Sequence, residues 1–228
     1  VTDATEDPMT RTARELLETT TRELAPDPRS NPLVPLIARG EADRATLAAL
    51  ALEQRWVIPA DRTAFLHLAE RSAAAPETAA YFTALADGEA LAAGHLEVFA
   101  AACGVDATRA EAYDPLPGCQ SYPAYVAWLA LNAEPADIVL ALTANFSAWG
   151  GYCATIAGAL RTHYGFTDEA CAFFDFFAEP APGLDDAGVK AVRAALDEGR
   201  LDEHRAQRYA RLLQRYEAMF WSALREHP

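Results

Sequence analysis

The chain has 228 residues, 51% of them hydrophobic and 23% charged, with a formal net charge of −14. That balance supports a sizeable apolar core and argues against disorder beyond the N-terminus. It also argues against nucleic-acid or anionic-membrane partners, because like charges repel.

Residues 1–9 are polar and acidic, lack the apolar stretch of an export signal, and are expected to fray. A cytoplasmic protein is the resulting expectation. Thr10–Leu24 carries Ala13, Leu16, Leu17 and Leu24 on one helical stripe and stops before Pro26. A helical turn over Pro32–Ala38 ends at Gly40. Asp43–Ala74 keeps a period near 3.6 through Leu47, Leu50, Val57, Ile58, Phe65 and Leu68, with a kink expected at Pro59. The next helix opens at Pro76 and runs to about Cys103, with Gly104 as its cap. A loop over Asp106–Gly118 precedes a helix over Pro123–Asn132. Further helices span Pro135–Tyr164, Asp168–Ala178, Asp185–Asp197 and Asp202–Arg225. No run alternates as strands do, and Ala, Leu, Glu and Arg dominate. The expected fold is all-α, with residues 1–228 as one helical domain. The apolar stretches are interrupted by charge well short of a membrane span.

Several chemistries have no sequence support. There is no G-x-G-x-x-G, P-loop, G-x-S-x-G or H-E-x-x-H motif. The lone lysine, Lys190, lies on a polar segment, which disfavours Schiff-base chemistry. His67-x-x-Glu70 reverses the Glu-x-x-His order of di-iron bundles, so no metal and no cofactor is expected. Cys103, Cys119, Cys153 and Cys171 form no C-x-x-C pair, and a core of this size needs no disulfide.

Polar residues on apolar stripes are more informative. Glu217 shares a face with Leu213, Phe220 and Trp221. Desolvation there raises a carboxyl pKa and suits it to general acid/base work. The alternative is an edge glutamate reaching solvent. Gln54 shares its face with Leu47, Leu50, Val57 and Ile58, and its amide must bind a ligand or cap a neighbouring helix. Adjacent Glu53 competes for the same role. Tyr122, Tyr125 and Trp128, then Phe146, Trp149 and Tyr152, then Phe173 to Phe177, make an aromatic cluster that is either core or ligand cage. Gly150 and Gly151 within a helix point to close packing or to room beside the backbone.

These residues resemble the TenA/thiaminase II and PqqC family. Asn31-Pro32-Leu33-Val34, Gly40 and Glu53-Gln54 are similar to the family's His-Pro-Phe, Gly and Gln-Asp opening. Pro123-Ala124-Tyr125-Val126 resembles its Ala-Tyr-Thr segment, and Phe173 to Phe177 its Trp-Ile-x-x-Tyr. Glu217-Ala218-Met219-Phe220-Trp221 resembles the C-terminal Glu-x-x-Phe-Trp. The resemblance implies a haem-oxygenase-like fold, a homodimer or homotetramer, and a buried pocket. In thiaminase II enzymes that pocket hydrolyses an aminopyrimidine using Cys, Glu, Asp and Tyr residues. It implies Glu217 as the catalytic carboxyl and Gln54, Tyr125, Trp149, Tyr152 and Phe177 as ligand-binding residues. Gln54 stands where the Asp belongs and Phe177 where a Tyr belongs. The family's Pro-Cys-x-Trp-x-Tyr segment meets Ser147, Ala148 or Trp149 according to the register, and never a cysteine.

Three functions remain open: a small heteroaromatic ligand bound or transformed without the usual Cys, a non-catalytic ligand-binding regulator, and a PqqC-like or metal-dependent oxidase. Any thiamine hydrolysis by this chain is expected to survive iodoacetamide and Cys153→Ser, assayed side by side with untreated protein.

Overall fold

The computed structural model describes residues 12–26 and 28–227. Among them lie ten α-helices, a 3-10 turn at Pro28–Ser30 and no strand. The helices are α1 (Ala13–Leu24), α2 (Val34–Ala38), α3 (Arg44–Arg71), α4 (Pro76–Ala102), α5 (Ala107–Glu111), α6 (Pro117–Asn132), α7 (Pro135–Tyr164), α8 (Asp168–Ala178), α9 (Pro182–Asp197) and α10 (Glu203–Glu226). The expected all-α architecture is present. The frayed tail expected at residues 1–9 lies outside the described residues. No described helix is long and apolar enough to cross a membrane.

Local chemistry sets the helix ends. Thr12 caps α1: Glu15 N–H donates to Thr12 Oγ1 at 3.2 Å, and Thr12 N–H donates back to Glu15 Oε2 at 2.8 Å. Proline opens α4, α6, α7 and α9, where its missing N–H would have no helical partner anyway. Gly165 closes α7 at φ 71°, in the left-handed region that favours glycine. Two boundaries differ from the sequence reading. The loop expected over residues 106–118 contains α5, and α6 begins at Pro117 with Pro123 inside it. Pro117 already supplies the first-turn proline, and the helix runs on through the second. Likewise α9 begins at Pro182 rather than Asp185.

The helices α3 and α4 pair extensively, α6 packs on α3 and α10, and α7 is flanked by α8 and α10. Their buried side chains form two apolar clusters. Each long helix contributes to both in turn. On α3 the first cluster reaches Ile58 and the second starts at Ala64. On α4 the second ends at Ala86 and the first starts at Ala92. On α7 the change falls between Ala144 and Tyr152, and on α10 between Leu213 and Phe220. Asp61, Glu89, Asn145 and Glu217 occupy these four changeovers, and all are buried. A polar layer therefore crosses the bundle between two apolar ones.

Close helix approach supports this arrangement. A Cβ added at Gly118 on α6 would stand 2.7 Å from Ala223 Cβ on α10, so glycine lets these axes come together. Glu53, fully buried on α3, accepts hydrogen bonds from the Tyr113 hydroxyl at 2.6 Å, Leu116 N–H at 2.6 Å and Gln120 Nε2 at 3.0 Å. It ties α3 to the start of α6. Because hydrogen bonds to a charged group contribute about 1.5–3 kcal/mol each, Glu53→Ala is expected to lower the urea unfolding free energy by about 3 kcal/mol or more.

Candidate functional site

The polar layer borders a cavity of about 60 Å³ lined by Gln54, Val57, Ile58, Asp61, Glu89, Tyr122, Asn145, Phe146, Trp149, Phe177, Glu217 and Phe220. Three of these are carboxyl groups, and none is Arg, Lys or His. Glu217 is 8% exposed. Its Oε2 accepts from Asn145 Nδ2 at 2.6 Å and its Oε1 from Trp221 Nε1 at 3.2 Å. Asn145 Oδ1 in turn accepts from the Tyr122 hydroxyl at 3.2 Å. Burial pushes the Glu217 pKa up to about 7, against the lowering effect of its two donors.

Asp61 and Glu89 are less well served. Asp61 Oδ1 and Glu89 Oε2 are buried and have no hydrogen-bond partner. Burial raises Asp61 to about 8. Glu89 is raised well above the ordinary carboxyl range, first by burial and then by the negative charge of Asp61. The Tyr122 phenol is pushed up by burial and then by Asp61, Glu217 and Glu89, and stays a neutral donor among the three acids. Among the described residues no three His, Cys, Asp or Glu side chains are grouped to hold a metal ion.

A larger cleft of about 810 Å³ opens beside this cavity, lined from α1, α4, α7, α8 and α9. Glu89, Phe146, Trp149 and Phe177 line both spaces. Trp149 meets Phe177 edge to face at 5.7 Å and tilts against Trp221 at 5.9 Å; with Phe146 these shared residues make the boundary between the two spaces aromatic.

Residues 32–227 match the TENA/THI-4/PQQC family. The chain belongs to that family. Two solved structures share its fold. One is a domain of unknown function with a heme oxygenase-like fold from Shewanella denitrificans OS217, at TM-score 0.68 and 16% identity, covering 92% of this chain and 89% of that one. The other is a TenA homologue from P. horikoshii OT3, at TM-score 0.64 and 14% identity, covering 93% and 95%. No curated protein matches the chain.

Within this TENA/THI-4/PQQC fold, Glu217, Gln54, Trp149 and Phe177 line the inner cavity. Tyr125 is not among its lining residues. It stacks on Trp128 at 5.8 Å and against Tyr216 at 4.8 Å, while Tyr122, one turn earlier, faces the cavity. Tyr152 is not a lining residue either and meets Trp221 edge to face at 5.8 Å. Glu53 serves the α3–α6 junction rather than the cavity. Gly150 answers to close packing, since its added Cβ would sit 3.0 Å from the Phe177 carbonyl oxygen, and Gly151 faces open space. At the family's cysteine segment, Ser147 is exposed on the outer cleft. Cys153 is fully buried, and burial followed by the charge of Glu217 raises its thiol pKa well above the usual value. Sequence reasoning missed Asp61 and Glu89. Asp61 sits seven residues from Gln54 and three from Ile58, the same kind of spacing that singled out Glu217.

Asp61 also governs a pH response. An unfolded aspartate loses its proton near pH 4, roughly, whereas the folded group holds it to about 8. The folded chain thus binds the extra proton, and this contribution to stability is complete below about pH 4 and lost as pH rises towards 8. Urea unfolding at a series of pH values is expected to show stability falling across that interval. Asp61→Asn is expected to flatten the fall and to stabilise the protein at the alkaline end.

Proposed function

We propose that this TENA/THI-4/PQQC protein binds a small nitrogen heteroaromatic of the thiamine-pyrimidine type, with its amino edge in the polar layer. Glu217 exchanges a proton with the ring or its amino group, and no cysteine acts as nucleophile. The observation that carries this reading is the composition of the cavity. Among the described residues its polar groups are three carboxyls, two amides, a phenol and the Trp149 indole N–H, and none is cationic. Such a lining suits a ligand rich in N–H donors or carrying positive charge, and offers an anion no counter-charge. A Glu217 pKa of about 7 matches proton transfer at neutral pH. The aromatic wall of Phe146, Trp149 and Phe177 supplies flat surface for a ring.

Calorimetric titration with 4-amino-2-methylpyrimidine tests this. Wild-type protein is expected to bind it, and Glu217→Gln to bind about tenfold or more weakly, the loss of a charge-assisted hydrogen bond. The variant keeps acceptor and shape, so its thermal midpoint reads the fold separately. Absence of binding by the wild type, or equal affinity in both proteins, would overturn the reading.

A further inference from the structure

The inner cavity and outer cleft share four residues yet differ more than tenfold in volume, at about 60 Å³ and 810 Å³. A single water needs about 10–15 Å³, and sites that enclose a whole organic ligand run to about 300–1,000 Å³. The inner cavity therefore takes only the polar end of a ligand. The remainder of a longer ligand would have to extend past the aromatic wall into the cleft.

The two ends differ in chemistry. The cleft is walled by Leu17, Leu85, Phe176, Leu184 and Val189, and its charged residues, such as Arg14, Glu18, Arg22 and Asp185, are exposed at its rim. At the inner end, Asp61 and Glu89 are 5% and 7% exposed and each keeps a carboxyl oxygen without a partner. Buried carboxyl groups in a cavity with no cationic side chain among the described residues are complementary to an ammonium or amidinium group, which brings hydrogen-bond donors and the positive charge that makes the acids give up the protons that burial holds on them. Glu89 lines both spaces and stands at the point where such a group would enter.

We infer that the two spaces are one site for an amphiphilic amine, its cationic nitrogen between Asp61 and Glu89 and its apolar body along the outer cleft. This rests on the reading of the inner cavity as the polar end of a ligand site, and extends it to ligands whose nitrogen carries an apolar body. The ligand class is an amine or nitrogen base bearing an extended apolar substituent.

The test is calorimetric titration of the full chain with n-alkylamines from propyl to decyl, and with n-alkanols of equal length. Amine affinity is expected to rise about three- to fourfold per methylene, the transfer of one CH₂ out of water. Alkanols are expected to bind about tenfold or more weakly at each length, for want of charge-assisted bonds. Glu89→Gln and Asp61→Asn are expected to remove that preference. Gly88→Leu places a side chain in the cleft, and its Cβ would meet only Phe176, at 3.8 Å. It is expected to abolish the gain with chain length, with circular dichroism checking its fold. The series on wild-type protein carries the test should that variant not fold. A flat series, equal affinity for amines and alkanols, or no amine binding overturns the inference. 4-Amino-2-methylpyrimidine, titrated alongside, reads the polar end without an extended apolar body. If it binds while the amine series is flat, the extension fails and the proposed function stands. If it does not bind while the amines show the slope, the reverse holds.

Discussion

A carboxylate leaves water at a large cost unless donors or positive charge replace its hydration. Five acidic side chains among the described residues are buried: Glu53, Asp61, Glu89, Asp137 and Glu217. Three are answered from within. Glu53 takes three donors, Asp137 takes Arg205 and the Asp202 N–H, and Glu217 takes Asn145 and Trp221. These are joints between helices: α3 to α6, α7 to α10, and α7 to α10 again at the cavity. Asp61 and Glu89 each keep an oxygen unanswered, and they face the cavity. The same rule thus organises the scaffold and marks where it is incomplete.

The polar layer also accounts for how the bundle divides. Two apolar clusters packed directly against each other would leave no space. Side chains that need partners at each changeover hold the clusters apart, and the gap that results is lined by the groups that made it. Helix α6 joins the pattern, with Cys119 in one cluster, Tyr125 in the other and Tyr122 packed on both.

Much of this was legible in the sequence. Proline, glycine and period gave nearly every helix, because those signals act through local backbone sterics. The start of α6 misled because two prolines six residues apart both look like openers, and only packing selects the first. Glu217 and Gln54 were visible as polar residues amid Leu, Val, Phe and Trp. Asp61 carries the same signal, with Val57, Ile58 and Phe65 one turn away, but its chain neighbours Ala60 and Arg62 mask it; Glu89 sits among Ala86, Ala92 and Ala93, small residues that occur equally on wet and dry faces. Comparison across helices would have exposed them, as each long helix carries one polar break between two apolar stretches. Tyr125 and Tyr122 share a face one turn apart, and periodicity assigns a face without saying which turn meets the cavity. Glu53 and Gln54, being adjacent, point about 100° apart on a helix and so serve different neighbours.

The hydrogen bonds through Asn145 have a direction. Its carbonyl oxygen accepts from Tyr122 and its amino group donates to Glu217, so every proton in the sequence points towards the carboxylate. An amide has two unlike ends and cannot offer a donor at both. When Glu217 takes up a proton and becomes a donor on that oxygen, the Asn145 amino group faces another donor, and the amide gains by turning over. Turning presents N–H to Tyr122, whose hydroxyl must then accept and send its own hydrogen elsewhere, towards the acids around it. One residue with no charge of its own thereby converts the ionisation of α10 into the orientation of a phenol on α6.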